Sequence, residues 1–215
     1  MQTPIRQYTL ADRFIQQIDA CLQALNSERP AGRIYPAKEI PEPTLTSQQR
    51  QQSAGFMRVN HSGEICAQAL YNAQALVTRT PSVRQSFEFS AHEETDHLAW
   101  CHQRLQELNS HRSYFNIFWY WNSFFIGMMA GLAGDKWSLG FVEETEIQVG
   151  RHLQGHLDRL QQSDSKSRAI ITQMQLDETK HAEKAQQQGA TPLPTPIKKL
   201  MSWHAKIMTT MSYWI

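Results

Sequence analysis

Cysteine is scarce in this 215-residue chain, and the three that occur, Cys21, Cys66 and Cys101, lie far apart. They form no C-x-x-C pair and their number is odd, which argues against a disulfide framework. Reduced thiols in a cytosolic compartment are the expectation. The first residues also lack the apolar stretch of a signal peptide, so we expect the chain to stay on the cytoplasmic side.

An excess of one charge is missing as well. The chain has 21 Lys and Arg against 20 Asp and Glu, a formal net charge of +1, and nothing in this balance points to a nucleic-acid partner. No G-x-G-x-x-G sequence follows a strand, so a dinucleotide site is not visible. With 40% hydrophobic residues, a chain of this length suits one globular domain with a sizeable core.

Strand-like alternation is absent, and helical periodicity takes its place. The sequence predicts four long helices. Thr46 and Gln49 form a capping box at the start of the first, and Pro81 suits the first position of the second. Asp164 or Ser165 can cap the fourth. The predicted spans are 47–77, 81–109, 136–161 and 165–188.

Shorter segments flank these helices. Residues 1–46 should contain an amphipathic helix over 10–25, followed by an extended connection that carries four prolines. The apolar side of that helix is predicted to be Phe14, Ile18, Cys21, Leu22 and Leu25. Residues 47–189 would form the helical bundle, and residues 190–215 an amphipathic C-terminal segment. The fold class predicted is all-α: a four-helix bundle with accessory helices at both ends.

Each long helix places one glutamate in its apolar stripe, where a hydrophobic side chain would be expected. Two of the helices add a histidine one turn later, in the sequences "EETDH" and "DETKH". The residues in phase with the buried stripes are Glu64, Glu94, His97, Glu146, Glu178 and His181. In the third helix Glu143 and Glu144 are alternatives, but only Glu146 continues the apolar series.

Glutamates gathered in an apolar core need a cation, because four unpaired carboxylates would repel one another. Four carboxylates and two imidazoles can neutralise and coordinate two divalent ions. The order Glu, Glu-x-x-His, Glu, Glu-x-x-His is that of di-iron carboxylate bundles. The competing interpretation, solvated helix positions paired with lysines, fits one Glu-x-x-His but not six residues in phase.

Other histidines fit less well. His92 and His97 are five residues apart and cannot share one zinc ion as an i, i+4 pair does. His61, His102, His111 and His204 are expected to be surface or structural residues. His152 and His156 lie near the buried face of the third helix, where they are either structural or hydrogen-bond partners of the ligands.

Residues 113–134 contain no charge and rank among the most apolar of the chain. A single membrane crossing here would separate the two halves of the ligand set. We therefore expect a long crossover between the second and third helices, as in ferritin-like folds. Its Trp119, Tyr120 and Trp121 suit a membrane interface, although they could instead cover the bundle's own core. The same two possibilities hold for the residues that could dip into lipid, which are Phe124, Phe125, Ile126, Met128 and Met129. Glycines 127, 131 and 134 are expected to leave room for an apolar ligand.

The motifs "MRVNHSGEICAQALY", "HEETDHLAW", "GLAGDKWSLGFVEETE", "LDETKHAEKA" and "SYWI" resemble the bacterial demethoxyubiquinone hydroxylases of ubiquinone biosynthesis. The resemblance runs from about residue 50 to the C-terminus. It implies a di-iron monooxygenase, peripheral on the cytoplasmic face of the inner membrane. Asn60 and Ser62 depart from the family pattern, which has Asp and Ala in many relatives.

Carried over to this chain, the family pattern assigns two Fe ions to the six residues above, with Glu94 and Glu178 as bridging ligands. It implies O₂ as co-substrate, a polyprenyl benzoquinol as substrate, and electrons from NAD(P)H. Other ubiquinone-biosynthesis proteins and a second copy of the chain are expected partners. Two alternatives stay open: a ferroxidase or iron-storage bundle, and a non-enzymatic, membrane-associated helical adaptor.

Overall fold

The computed structural model describes residues 9–26 and 30–215, and within these ranges every regular element is a helix. The all-α prediction is confirmed, and the four long helices lie close to their predicted limits. In chain order the helices are α1 (Leu10–Leu25), α2 (Ser47–Val77), α3 (Pro81–Glu107), α4 (Asn116–Leu132), α5 (Asp135–Arg159), α6 (Ser165–Gln187) and α7 (Thr195–Trp214).

Local sequence explains where these helices begin. The Thr46 hydroxyl accepts a hydrogen bond from the Gln49 N–H, and the Gln49 side chain accepts one from the Thr46 N–H, which completes the predicted capping box. Asp164 caps α6 by accepting from the Ser167 N–H. Pro81 occupies the first turn of α3, where its missing N–H costs nothing.

The four long helices form a bundle of two hairpins. Short loops join α2 to α3 and α5 to α6, and these two pairs pack closely along their lengths. The crossover between the hairpins is itself a helix, α4, which lies along α2, and α7 packs on the neighbouring side of α2. None of the helices in the described ranges combines the length and apolar character needed to cross a membrane.

The crossover helix buries some of the aromatic residues that suited a membrane interface. Trp119 is 2% exposed, Tyr120 is 0% exposed and Phe124 is 6% exposed. These three side chains therefore cover the bundle's own core. The opposite face of α4 is different, because Phe118, Phe125 and other large apolar side chains point away from the protein.

Two glycines of α4 serve close packing, and the expectation that they leave room for a ligand is wrong. A Cβ on Gly127 would stand 2.8 Å from the Leu70 carbonyl oxygen, and one on Gly131 would collide with Val77. The missing side chains thus let α4 lie directly on α2. Gly134 has φ of 111°, a left-handed conformation that suits glycine, and it makes the turn into α5.

The N-terminal helix confirms only part of the apolar side predicted for it, namely Cys21 and Leu25. Cys21 and Ala24 are buried, whereas Ile18 is 38% exposed and Leu22 is 60% exposed. Small side chains let α1 approach α2 and α4 closely, so its larger apolar residues remain outside. The Phe14 side chain lies outside the described part of the chain.

Residues 30–46, here called the strap, cross from α1 to α2 over the seam between α3 and α6. Ala37 and Leu45 join the core of the bundle. Glu42 in the strap accepts a hydrogen bond of 3.0 Å from Arg104 of α3. Its other oxygen forms an ion pair of 2.8 Å with Lys166 of α6. The strap is therefore bonded to both helices that carry a Glu-x-x-His sequence.

Candidate metal centre

All six predicted residues meet in the middle of the bundle. They form two groups, one of Glu64, Glu94, His97 and Glu178 and the other of Glu94, Glu146, Glu178 and His181. Within each group one oxygen or nitrogen per residue lies within 4.8 Å of the others. None of the six residues is more than 4% exposed. The cluster could therefore hold a metal ion in each group.

Two glutamates belong to both groups, and each turns one oxygen toward each half. Glu94 places Oε2 2.7 Å from His97 Nδ1 and Oε1 3.2 Å from His181 Nδ1. Glu178 places Oε1 3.3 Å from His97 Nδ1 and Oε2 3.2 Å from His181 Nδ1. This is the arrangement that two bridging carboxylates require.

Several atoms of the cluster face its centre without a well-aligned hydrogen bond. They are both carboxylate oxygens of Glu94, Nδ1 of His97 and Oε1 of Glu178. Burial of such unpaired groups costs on the order of 1–3 kcal/mol each, and more when they are charged. Divalent cations would bond to these atoms, so the donor set fits a dinuclear centre.

The pKa values describe the same crowding. Burial, with the Glu94 carboxylate next to it, raises the pKa of Glu64 well above its ordinary value. Burial, with Glu178 close by, does the same to the pKa of Glu146. Protonation would relieve the repulsion in the absence of a cation, and bound cations would relieve it with all four groups ionised.

Each histidine is held from behind by a second carboxylate. His97 Nε2 lies 3.2 Å from Asp177 Oδ2, and His181 Nε2 lies 3.0 Å from Glu93 Oε2. With Nδ1 directed at the cluster, Nε2 carries the proton and donates a hydrogen bond to this outer carboxylate. Such partners fix the tautomer and the ring orientation of a metal-binding imidazole.

The sequence held a signal for both outer carboxylates that helical phase did not reveal. Each is the residue directly before the Glu of a Glu-x-x-His sequence: Glu93 precedes Glu94, and Asp177 precedes Glu178. Each reaches across to the histidine of the other helix. Glu93 lies out of phase with the apolar stripe of its own helix, and the periodicity of one helix does not show contacts with its neighbour.

In the third bundle helix only Glu146 joins the cluster. Tyr71 on α2 donates a hydrogen bond of 2.5 Å to Glu146 Oε1. Glu144 instead pairs with Lys198 of α7 at 2.6 Å, and Glu143 is half-buried outside both groups. The preference for Glu146 over its two neighbours thus agrees with where the structure places the three side chains.

Asn60 and Ser62, the two departures from the family pattern, differ in their surroundings. The Ser62 hydroxyl donates to Asn116 Oδ1 at 2.8 Å, which ties α2 to the start of α4. Asn60 lies one turn before Glu64, is 3% exposed, and has no hydrogen-bond partner for either side-chain amide atom.

His152 and His156 are not hydrogen-bonded to any of the six clustered residues. The His156 ring stacks on Phe56 with centroids 4.3 Å apart, and the His152 ring lies 4.1 Å from His156. Burial lowers the pKa of His152 to about 4 and that of His156 to about 2, so both are neutral at pH 7. Their role in this structure is packing.

A cavity of 520 Å³ lies between α2, α4, α5 and α7. Most of its wall is apolar, and α7 covers it from outside. The residues that line it within three positions of Glu64 or Glu146 are Gly63, Cys66, Ala67, Thr145, Gln148 and Val149. These residues flank Glu64 and Glu146, so the same helical turns form the cavity wall and one side of the cluster.

Comparison with known proteins places this chain among close relatives. Residues 51–212 match the family described as "Ubiquinone biosynthesis protein COQ7". A protein from Coxiella burnetii named 3-demethoxyubiquinol 3-hydroxylase is 54% identical over 215 residues, all of both chains. Proteins with the same name from Polynucleobacter asymbioticus and Nitrosococcus oceani are 51% and 48% identical. The match with the Polynucleobacter protein covers 95% of this chain and 99% of that protein. The match with the Nitrosococcus protein covers 98% of this chain and 99% of that protein.

Proposed function

The chain belongs to the COQ7 family of ubiquinone biosynthesis, and on that premise we propose that it is an O₂-dependent di-iron monooxygenase. Its substrate in this proposal is demethoxyubiquinol, a polyprenylated methoxy-methyl-benzoquinol, which it hydroxylates on the ring. The observation that carries the proposal is the buried cluster in which two histidine-containing groups share Glu94 and Glu178. Close relatives with the hydroxylase name support the choice of reaction.

The residues of the cluster have distinct roles in this proposal. Glu64 and His97 would hold one iron ion, Glu146 and His181 would hold the other, and Glu94 and Glu178 would contribute one oxygen to each. The bound iron pair would supply the reduction of O₂, with one oxygen atom going to the ring and the other to water. Two electrons are needed for this balance, and we assign them to NAD(P)H. The surrounding helices keep bulk water away from the centre.

The cavity beneath α7 is the proposed site of the quinol ring. Its volume of 520 Å³ is within the usual range for small-molecule sites, and its apolar wall suits a substituted benzoquinol with an isoprenoid tail. Ser123, Thr145 and Gln148 are among the uncharged polar residues of its wall that could orient the ring oxygens. The tail would leave the cavity between α4 and α7.

We further propose that the outer faces of α4 and α7 contact the cytoplasmic face of the inner membrane. Phe118, Phe125 and Met129 on α4 are each more than half exposed, as are Leu200 and Trp203 on α7. The His204–Asn122 hydrogen bond of 2.6 Å joins the two helices, so their exposed faces adjoin. A lipid-soluble substrate would then enter from the bilayer. Other ubiquinone-biosynthesis proteins and a second copy of the chain are the partners that this location favours.

Quinone analysis tests the reaction. In a strain that lacks this gene, demethoxyubiquinol should accumulate, and the intact gene should restore ubiquinone in an O₂-dependent manner. The purified chain should contain close to two Fe ions. Restoration of ubiquinone by a chain that binds no metal would contradict the proposal. A soluble cage that stores iron without altering quinones would instead support the ferroxidase alternative.

Membrane contact has its own test. The double change Phe118→Ser and Phe125→Ser should weaken binding to anionic lipid vesicles, because each exposed Phe contributes about 1.5–3 kcal/mol when it leaves water. Ile34→Ser, at an exposed apolar residue of the strap, is the matched control. Equal vesicle binding by the double variant and the unmodified chain would remove the membrane proposal and leave the metal proposal intact.

A further inference from the structure

Arg33 of the strap joins the two helices that carry the histidines. Its Nε donates to Asp96 Oδ2 on α3 at 2.6 Å, and its Nη1 donates to Asp177 Oδ2 on α6 at 2.7 Å. The Gly32 N–H donates to the other oxygen of Asp96 at 2.6 Å. A single side chain from outside the bundle thus connects α3 to α6.

Arg33 bonds to the same oxygen of Asp177 that contacts His97. Asp177 Oδ2 accepts from Arg33 and also lies 3.2 Å from His97 Nε2. The guanidinium group stands over the Trp100 ring at 4.7 Å, and that ring lies 5.4 Å from the His97 ring. Arg33 therefore contacts both surfaces against which the His97 imidazole rests.

His181 has no equivalent support. Its outer carboxylate, Glu93, is 26% exposed at the side chain, whereas Asp177 is 3% exposed. Among the residues that the structure describes, no Lys or Arg is ion-paired with Glu93. The strap thus reinforces one half of a centre that is otherwise close to symmetric. It also lies outside residues 51–212, the part that matches the family.

We propose that Arg33 is a positioning residue for the metal centre, which acts through Asp177 to hold the His97 imidazole in its metal-binding orientation. This inference rests on the proposed dinuclear site. Arginine suits the role because its planar fork can bond to two carboxylates at once, and a lysine ammonium at the same position could not keep both directed bonds. The strap places this fork by packing Ala37 and Leu45 into the core.

The test uses the full-length protein loaded with Co²⁺, which shifts proton resonances of bound histidines far from the rest of the spectrum. Two exchangeable Nε2–H resonances are expected, one from His97 and one from His181. Asp177→Asn should perturb the first and Glu93→Gln the second, which assigns them. Co²⁺ titration measures the affinity of each half.

Arg33→Gln should speed solvent exchange of the His97 Nε2–H and weaken Co²⁺ binding in that half, each by about tenfold. The His181 resonance and the affinity of its half should stay within about twofold. Arg33→Lys keeps the positive charge, and we expect the same selective effect from it. The matched control is Lys180→Gln, because Lys180 bonds to Oδ1 of Asp177 at 3.1 Å and is 70% exposed. That control should leave both histidine resonances unchanged.

Each outcome separates the possibilities. If the unmodified chain takes up fewer than two Co²⁺ ions, the proposed dinuclear function fails. If it takes up two and Arg33→Gln changes neither exchange nor affinity, only the role of Arg33 is overturned. Equal weakening of both halves, or an equal effect of Lys180→Gln, would also overturn it. Helix content and melting temperature of the metal-free variants identify a general loss of folding, and Arg33→Lys then serves as the deciding variant.

Discussion

His97 and His181 occupy equivalent places in two Glu-x-x-His helices, yet the protein supports them differently. The outer partner of His97 is buried and bonded to the strap, while the outer partner of His181 is partly exposed. Identical local sequence patterns thus lead to two unequal halves. The clustered side chains come from the bundle, while the Arg33 contact behind one of them comes from a segment that the bundle motifs do not include.

The largest effect should follow loss of a ligand that both halves share. Glu94→Gln keeps the shape of the side chain but removes the bridging charge, so both halves should fail together. We expect Co²⁺ uptake to fall below one ion per chain and quinol hydroxylation to fall by more than about 100-fold. Glu144→Gln is the control, since Glu144 pairs with Lys198 outside the cluster. Two tightly bound ions in Glu94→Gln would show that the halves do not share this residue.

Changes at the two outer carboxylates compare the halves directly. Asp177→Asn should lower the Co²⁺ affinity of the His97 half by about 100-fold, and Glu93→Gln that of the His181 half by about tenfold. The smaller second effect is expected because water can reach the partly exposed Glu93 position and replace the lost acceptor. Affinities come from the same titration on both variants. An equal loss in the two halves would mean that burial of Asp177 adds nothing.

Tyr71→Phe should weaken the less supported half. The phenol donates to Glu146, so its loss removes one hydrogen bond to a carboxylate, worth about 1 kcal/mol or roughly fivefold in affinity. The His97 half should not respond. Tyr120→Phe is a suitable control, because its hydroxyl bonds to Asn72 rather than to the cluster. A change in the His97 half would show that the halves are coupled through the bridges.

The smallest effect is expected at Gln173. Its amide donates to both oxygens of Asp177 at 3.2 Å, but it is neutral and half-buried. Gln173→Ala should cost about 0.5 kcal/mol, or roughly twofold in the affinity of the His97 half. Isothermal titration at constant salt measures a difference of this size. A loss as large as that of Asp177→Asn would shift the explanation from the strap to α6 itself.

Much of this molecule could be predicted because single-helix periodicity governs it. The helix limits follow from caps at Thr46, Pro81 and Asp164, and the six clustered residues follow from glutamates and histidines in apolar stripes. Glu146 could be separated from Glu143 and Glu144 for the same reason. These features depend mainly on the α-helical repeat of 3.6 residues per turn, which can be read from the sequence of one helix.

The remaining features depend on how separate elements meet, which periodicity does not show. The outer carboxylates contact a histidine of the other helix, so the periodicity of their own helix does not reveal them. Apolar content suggested an outward face for Trp119 and Tyr120 and an inward one for Leu22, whereas the closeness of approach to α2 decided otherwise. Arg33 sits in a proline-containing connection with no period at all, and only its distances to Asp96 and Asp177 reveal a role.

The strap also sets an order of events during synthesis. Arg33 and Asp177 are 144 positions apart in the sequence, so their hydrogen bond forms only after both have been synthesised. Domains begin to fold while the chain is still emerging from the ribosome, N-terminal part first. The α2–α3 hairpin can therefore form early with His97 in place, but the strap has no anchor on α6 until translation is nearly complete. A chain that terminates after α3 would carry three of the six clustered residues, and its strap would lack the contact with Asp177.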